Sequence, residues 1–115
     1  MTNITLINPL KPGSLPVFKA FMADITGPRK SEYSDLLKRY GLKNSKVVYH
    51  KLAGVEFVVV AHDMEDDAAE RLAAWPTSSH PFDVWFKERA QAFYDFELAK
   101  VAGQPEVVAV FDPAS

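Results

Sequence analysis

The stretch "SKVVYHKLAGVEFVVVAH", residues 45–62, constrains the fold more than any other part of the chain. Two runs rich in β-branched and aromatic residues flank Ala53-Gly54, and a short glycine-containing turn between such runs predicts an antiparallel hairpin. With Ala53 and Gly54 as the loop, Leu52 faces Val55, Lys51 faces Glu56, His50 faces Phe57, Tyr49 faces Val58 and Val47 faces Val60. The opposite charges of Lys51 and Glu56 favour that register. Side chains alternate across a strand, so Tyr49, Val58, Val60 and His62 share one face, and Val48, Leu52, Val55 and Phe57 share the other. Both faces are mostly apolar. An antiparallel sheet with one wet side would show a polar outer face, so this hairpin is expected to be covered twice, by its own helices and by a second subunit.

Around the hairpin the pattern reads as βαββαβ. Asn3 to Pro9 form a first strand closed by Asn8-Pro9, and "KPGS" is a turn. From Ser14 the spacing becomes helical, with Leu15, Phe18, Met22 and Ile25 on one stripe and Ser14 or Gly13 placed to cap. Thr26-Gly27-Pro28 interrupts that helix, and Arg29 to Tyr40 resumes it up to Gly41, a natural stop. Asp63 to Ala74 starts acidic and ends before Pro76. A long helix is expected from His80 or Pro81 to about Lys100, then a turn at Gly103-Gln104-Pro105 and a last strand in "EVVAVF", residues 106–111. Residues 1–115 are thus expected to form one ferredoxin-like α+β domain, an antiparallel four-stranded sheet with its helices on one face.

Charge and composition remove several function classes. Thirteen Lys plus Arg stand against fifteen Asp plus Glu, with signs interspersed, so no basic stripe suits nucleic acid or an anionic membrane. The absence of cysteine excludes disulfides, thiolate zinc sites and cysteine nucleophiles, and a cytoplasmic location is expected. The three histidines have no HxH, HxxxH or HExxH spacing, and there is no GxSxG, phosphate-cradling loop or dinucleotide fingerprint. Neither a metal nor a cofactor is expected.

Candidate site residues come from the aromatic stretch Trp75 to Glu97. On a helical wheel Phe82, Trp85, Phe86, Phe93 and Phe96 fall on one side, which reads as a core stripe or as the wall of a ligand pocket. Arg89 lies inside that stripe. It must snorkel, pair with Glu32 or Glu56, stand over an aromatic ring, or hold a carboxylate, phosphate or enolate oxygen. His80, at the helix N-terminus, is either a cap or a neutral base or donor. Tyr49 and His62 share a sheet face and would line a pocket with Asn8 if the first strand is in phase.

The order of elements, the doubly apolar hairpin, and the segments "LINPLKPGSLPVFKAFMADI", "RKSEYSDLLKRYGL" and "HPFDVWFKE" resemble uncharacterised bacterial members of the dimeric α+β barrel superfamily. The resemblance covers nearly the whole chain. It implies ferredoxin-like subunits closing face to face as a homodimer, with a pocket between sheet and helices. That superfamily includes cofactor-free monooxygenases, haem-degrading monooxygenases, sugar mutarotases and stress-response proteins. Haem-degrading members use Asn, Trp and His in the order of Asn8, Trp75 and His80 here, although with a different Trp-to-His spacing. The expectation drawn is a small-molecule-binding protein or cofactor-independent enzyme acting on an aromatic or polyketide-like carbonyl compound. In it Arg89 and Tyr49 bind the ligand, His80 or His62 moves protons, and Trp85 and Phe82 wall the pocket. A non-catalytic structural homodimer and a mutarotase-like isomerase are the alternatives.

Overall fold

A computed structural model describes residues 2–98 and 105–114. Three strands, β1 (Thr2–Pro9), β2 (Lys46–Leu52) and β3 (Val55–Met64), form an antiparallel sheet in the order β1-β3-β2. Between β1 and β2 run α1 (Leu15–Ile25) and α2 (Lys30–Arg39); after β3 come the short α3 (Ala68–Leu72), a 3₁₀ turn at Trp75–Thr77 and α4 (Pro81–Ala90).

The hairpin has the expected register, from Leu52 opposite Val55 to Val47 opposite Val60. Its loop takes positive φ at both positions, 52° at Ala53 and 81° at Gly54, as a two-residue turn matched to strand twist requires. β1 joins the other side of β3 with Ile4 opposite His62 and Asn8 opposite Val58, so Ile4, Leu6 and Asn8 share the face of Val58, Val60 and His62. That face packs on the helices: Ile4 and Val58 are buried in one core with Phe18, Phe21, Ile25 and Leu36. The opposite face is open. Ile7 is 64% exposed and Leu52 59%, with Val48 and Val55 also exposed.

Helix boundaries follow local chemistry. Ser14 occupies the cap position of α1 but does not cap; its hydroxyl donates to the Lys11 and Phe93 carbonyls at 2.6 and 3.2 Å. Thr26 closes α1 by donating its hydroxyl to Met22 O, before Gly27-Pro28 breaks the run. Gly41 ends α2 at φ 71°, and a Cβ there would meet Arg71 and Ala68 at 3.2 and 3.3 Å, so glycine serves both backbone and packing.

Two expectations need correction. The long helix stops at Ala90, because the following residues bond elsewhere: Lys11 N–H donates to Phe93 O, Asp95 N–H donates to Pro9 O, and Leu10 bridges Tyr94. Gln91 fixes the departure, its side chain donating to Phe96 O and accepting from Leu98 N–H. The wheel is therefore invalid beyond Ala90, and Arg89 lies outside any apolar stripe. The fourth strand is also missing. Residues 106–111 lie in no strand, and Val107, Val108, Val110 and Phe111 are 71–89% exposed; a strand needs a hydrogen-bonded neighbour, and among the described residues the sheet has three. No helix of the described residues is long and apolar enough to cross a membrane.

Candidate functional site

Between the inner sheet face and the helices lies a cavity of about 190 Å³. Carbon dominates its walls, with Leu36, Leu37, Val60, Leu72, Trp75 and Phe86 among them. Into this apolar space the fold brings five polar side chains, Asn8, Tyr33, Tyr40, His62 and Tyr94.

His62 is 7% exposed, and its Nδ1 lies 2.6 Å from the Asn44 carbonyl oxygen. A carbonyl only accepts, so Nδ1 carries the hydrogen, and in the neutral ring Nε2 keeps its lone pair. The clamp is itself fixed: the Asn44 side chain accepts from Asp63 N–H at 2.8 Å and donates to the Asp63 carboxylate at 2.7 Å. Burial pushes the imidazole below its ordinary value, against the opposing bond to Asn44. His62 is thus a neutral imidazole at neutral pH. Among the described residues nothing hydrogen-bonds its Nε2.

The phenols differ in availability. Tyr33 shares a 2.8 Å hydrogen bond with Ser45, and Tyr40 donates to the Asp83 carboxylate at 2.6 Å. Burial pushes Tyr94 up to about 12, against a hydrogen bond with Asn8, so its hydroxyl keeps its proton. Tyr94 with Asn8 is the pair left to meet a ligand oxygen. Asn8 is four residues along β1 from Ile4, the partner of His62, which puts the two polar ends roughly 13 Å apart along the sheet. A ligand lying between them can be anchored at one end and deprotonated at the other.

Asp83, which sequence reasoning passed over, is fully buried behind this cavity. Arg39 donates to it through two nitrogens at 2.7 and 3.0 Å, and Ser78 donates at 2.6 Å. Its placement three residues past the His80 cap, inside an aromatic run, was the available signal. Burial opposes its ionisation, but hydrogen bonds from Arg39, Ser78 and Tyr40 and the Arg39 charge outweigh burial and hold it at about 2.

A second space, a more polar cleft of about 380 Å³, adjoins the first. Lys19, Thr26, Ser45 and Tyr49 line it, and Met22, Tyr33 and Val47 line both spaces. Tyr49 donates its hydroxyl to Glu56 at 2.8 Å. So Asn8, His62 and Tyr49 do share a sheet face, but Tyr49 opens on the cleft and the other two on the cavity.

The remaining candidates lie outside both spaces. His80 caps α4, its exposed ring accepting from Phe82 N–H through Nδ1 at 3.2 Å. Arg89 is exposed, its guanidinium carbon 5.7 Å from the Trp85 ring centroid. Its suggested partners are engaged otherwise: Glu32 by Arg29 at 3.3 Å and Glu56 by Tyr49. Trp85 stacks between Phe21 and Phe82 with Arg29 over its ring at 4.1 Å, and Phe82 is core.

These features define an α+β fold with an apolar cavity between sheet and helices. Its three-dimensional likeness includes tetracenomycin F2 cyclase from Streptomyces glaucescens, a type-II polyketide cyclase, with a TM-score of 0.61 and 16% identity, over 97% of this chain and 98% of that one. At that identity the likeness speaks for fold alone. No protein-family model matches the chain, and no curated protein matches it in sequence.

Proposed function

We propose that this protein is a cofactor-independent enzyme that takes a proton from carbon beside a carbonyl of an aromatic or polyketide-like compound bound in the inner cavity. The observation that carries the reading is His62, a buried neutral imidazole with Nδ1–H committed to a backbone carbonyl, lining an apolar cavity. Nε2 takes the α-proton, leaving an imidazolium and an enolate. The enolate carbon can then form a bond to a second carbonyl carbon of the same molecule, and the alkoxide produced recovers the proton. The Asn8–Tyr94 pair anchors a ligand oxygen at the far end. The polyketide cyclase named for the structural neighbour supports this class. A sugar would set its hydroxyls against leucine and phenylalanine, which disfavours isomerisation of the mutarotase kind. A wholly structural role leaves the cavity unexplained.

The same reading includes a homodimer working in the cytoplasm, the second subunit covering the open sheet face. Ile7, Val48, Leu52 and Val55 on that face support it.

Deuterium exchange into the methyl group of 2-acetonaphthone, followed by NMR, tests the chemistry. His62→Gln should slow exchange by about a hundredfold or more. The parent's rate should fall as pH drops below the ordinary histidine value of about 6.5, where the base becomes protonated. Exchange unchanged in His62→Gln would overturn the assignment.

A further inference from the structure

The inner cavity, at about 190 Å³, is smaller than the roughly 300–1,000 Å³ of sites that enclose drug-sized ligands. It admits two fused rings and little more. The adjoining cleft, at about 380 Å³, is within that range. Met22, Tyr33 and Val47 line both, so the spaces meet along one short wall. All three side chains are partly buried against the core, and Tyr33, whose ring also stacks on Phe86, is the one of them with a side-chain hydrogen bond, to Ser45 at 2.8 Å. Ser45 precedes β2, and Tyr33 lies on α2, so the bond ties helix to sheet across the junction.

We propose that cavity and cleft are two chambers of one site for an elongated aromatic compound with an anionic tail, divided by Tyr33. The inner chamber takes the reacting rings beside His62. The outer chamber takes the tail, which Lys19 meets as the one cation among the cleft's described lining residues. Breaking the Tyr33–Ser45 bond and turning the ring joins the chambers, so Tyr33 sets which ligand length is accepted. This inference rests on the proposed function, because it takes the inner cavity to be the reacting chamber.

Calorimetric titration with a short neutral probe, 2-naphthol, and a longer anionic one, anthracene-2-carboxylate, separates the two ideas. Tyr33→Ala should tighten the carboxylate by about tenfold relative to naphthol. Lys19→Met should weaken the carboxylate alone by about fivefold. Ser45→Ala, which removes only the tether, should speed carboxylate association by about fivefold in stopped-flow fluorescence, and it keeps the test open if Tyr33→Ala fails to fold. Naphthol binding with a carboxylate indifferent to all three changes overturns the two-chamber site and leaves the inner cavity as a binding site. Binding of neither probe to any variant overturns both.

Discussion

Asp83 has no solvent exposure and yet remains ionised, because Arg39, Tyr40 and Ser78 all donate to it. Its folded-state value of about 2 lies below the ordinary carboxylate value of about 3.9. Folding is therefore favoured by its ionisation, by roughly 2 kcal/mol, fully above about pH 4 and progressively less as pH falls through the folded value. We expect Asp83→Asn to lower stability by about 2 kcal/mol at pH 7 and by much less near pH 2, read from urea midpoints at both. An equal loss at the two pH values would show that packing rather than charge is what the substitution removes. His62 differs in kind. Asp83 has every partner it needs, whereas His62 has a hydrogen-bond partner at Nδ1 and, among the described residues, none at Nε2. Sequence placed His62 on the correct face through period two alone, but its clamp, Asn44, lies in the approach to β2 and carried no motif.

The hairpin was legible and the last helix was not, and the reason is the range of the forces that define each. Alternation, a two-residue loop and the Lys51–Glu56 pair act across the hairpin itself, so register could be read from eighteen consecutive residues. The end of α4 is decided by residues some eighty positions away, at Pro9 and Lys11, which capture Asp95 and Phe93. Helical spacing continues past Ala90 as if those contacts did not exist. The Arg89 hypothesis failed to reach the pocket for this reason, since its place in a stripe depended on Phe93 and Phe96 sharing its helix. The turn also shows a local cost: Ala53 holds φ 52°, a left-handed conformation that disfavours a Cβ. Ala53→Asn should raise stability by about 1 kcal/mol, and Gly54→Ala should lower it by a similar amount, since no neighbour lies within 4 Å of the added carbon. Thermal midpoints moving in opposite directions would confirm a backbone effect; a drop in both would mean the loop makes contacts beyond the single chain.

At the scale of the molecule, carbon is left in water on the outer sheet face and along residues 107–111. The outer sheet face is three strands wide and about eight residues long, which amounts to roughly 400 Å². A stable interface takes about 800 Å² from each partner. The face alone is too small, and the exposed Val107, Val108, Val110 and Phe111 are the other large apolar surface among the described residues. The proposed homodimer, if it buries both, would account for the apolar outer face and for a strand-like sequence without a strand. The fourth strand was expected because "EVVAVF" has the composition of a buried strand, but composition cannot say what supplies its neighbour. Light scattering should give twice the chain mass. Ile7→Lys with Val48→Lys, which flank Val59 on that face, should weaken association by about a hundredfold or more while leaving the far-UV circular dichroism of the subunit intact, because both side chains are exposed in the single chain. Phe111→Lys should weaken it separately if the C-terminal segment belongs to the interface. A parent that stays at the single-chain mass throughout the micromolar range would exclude the homodimer.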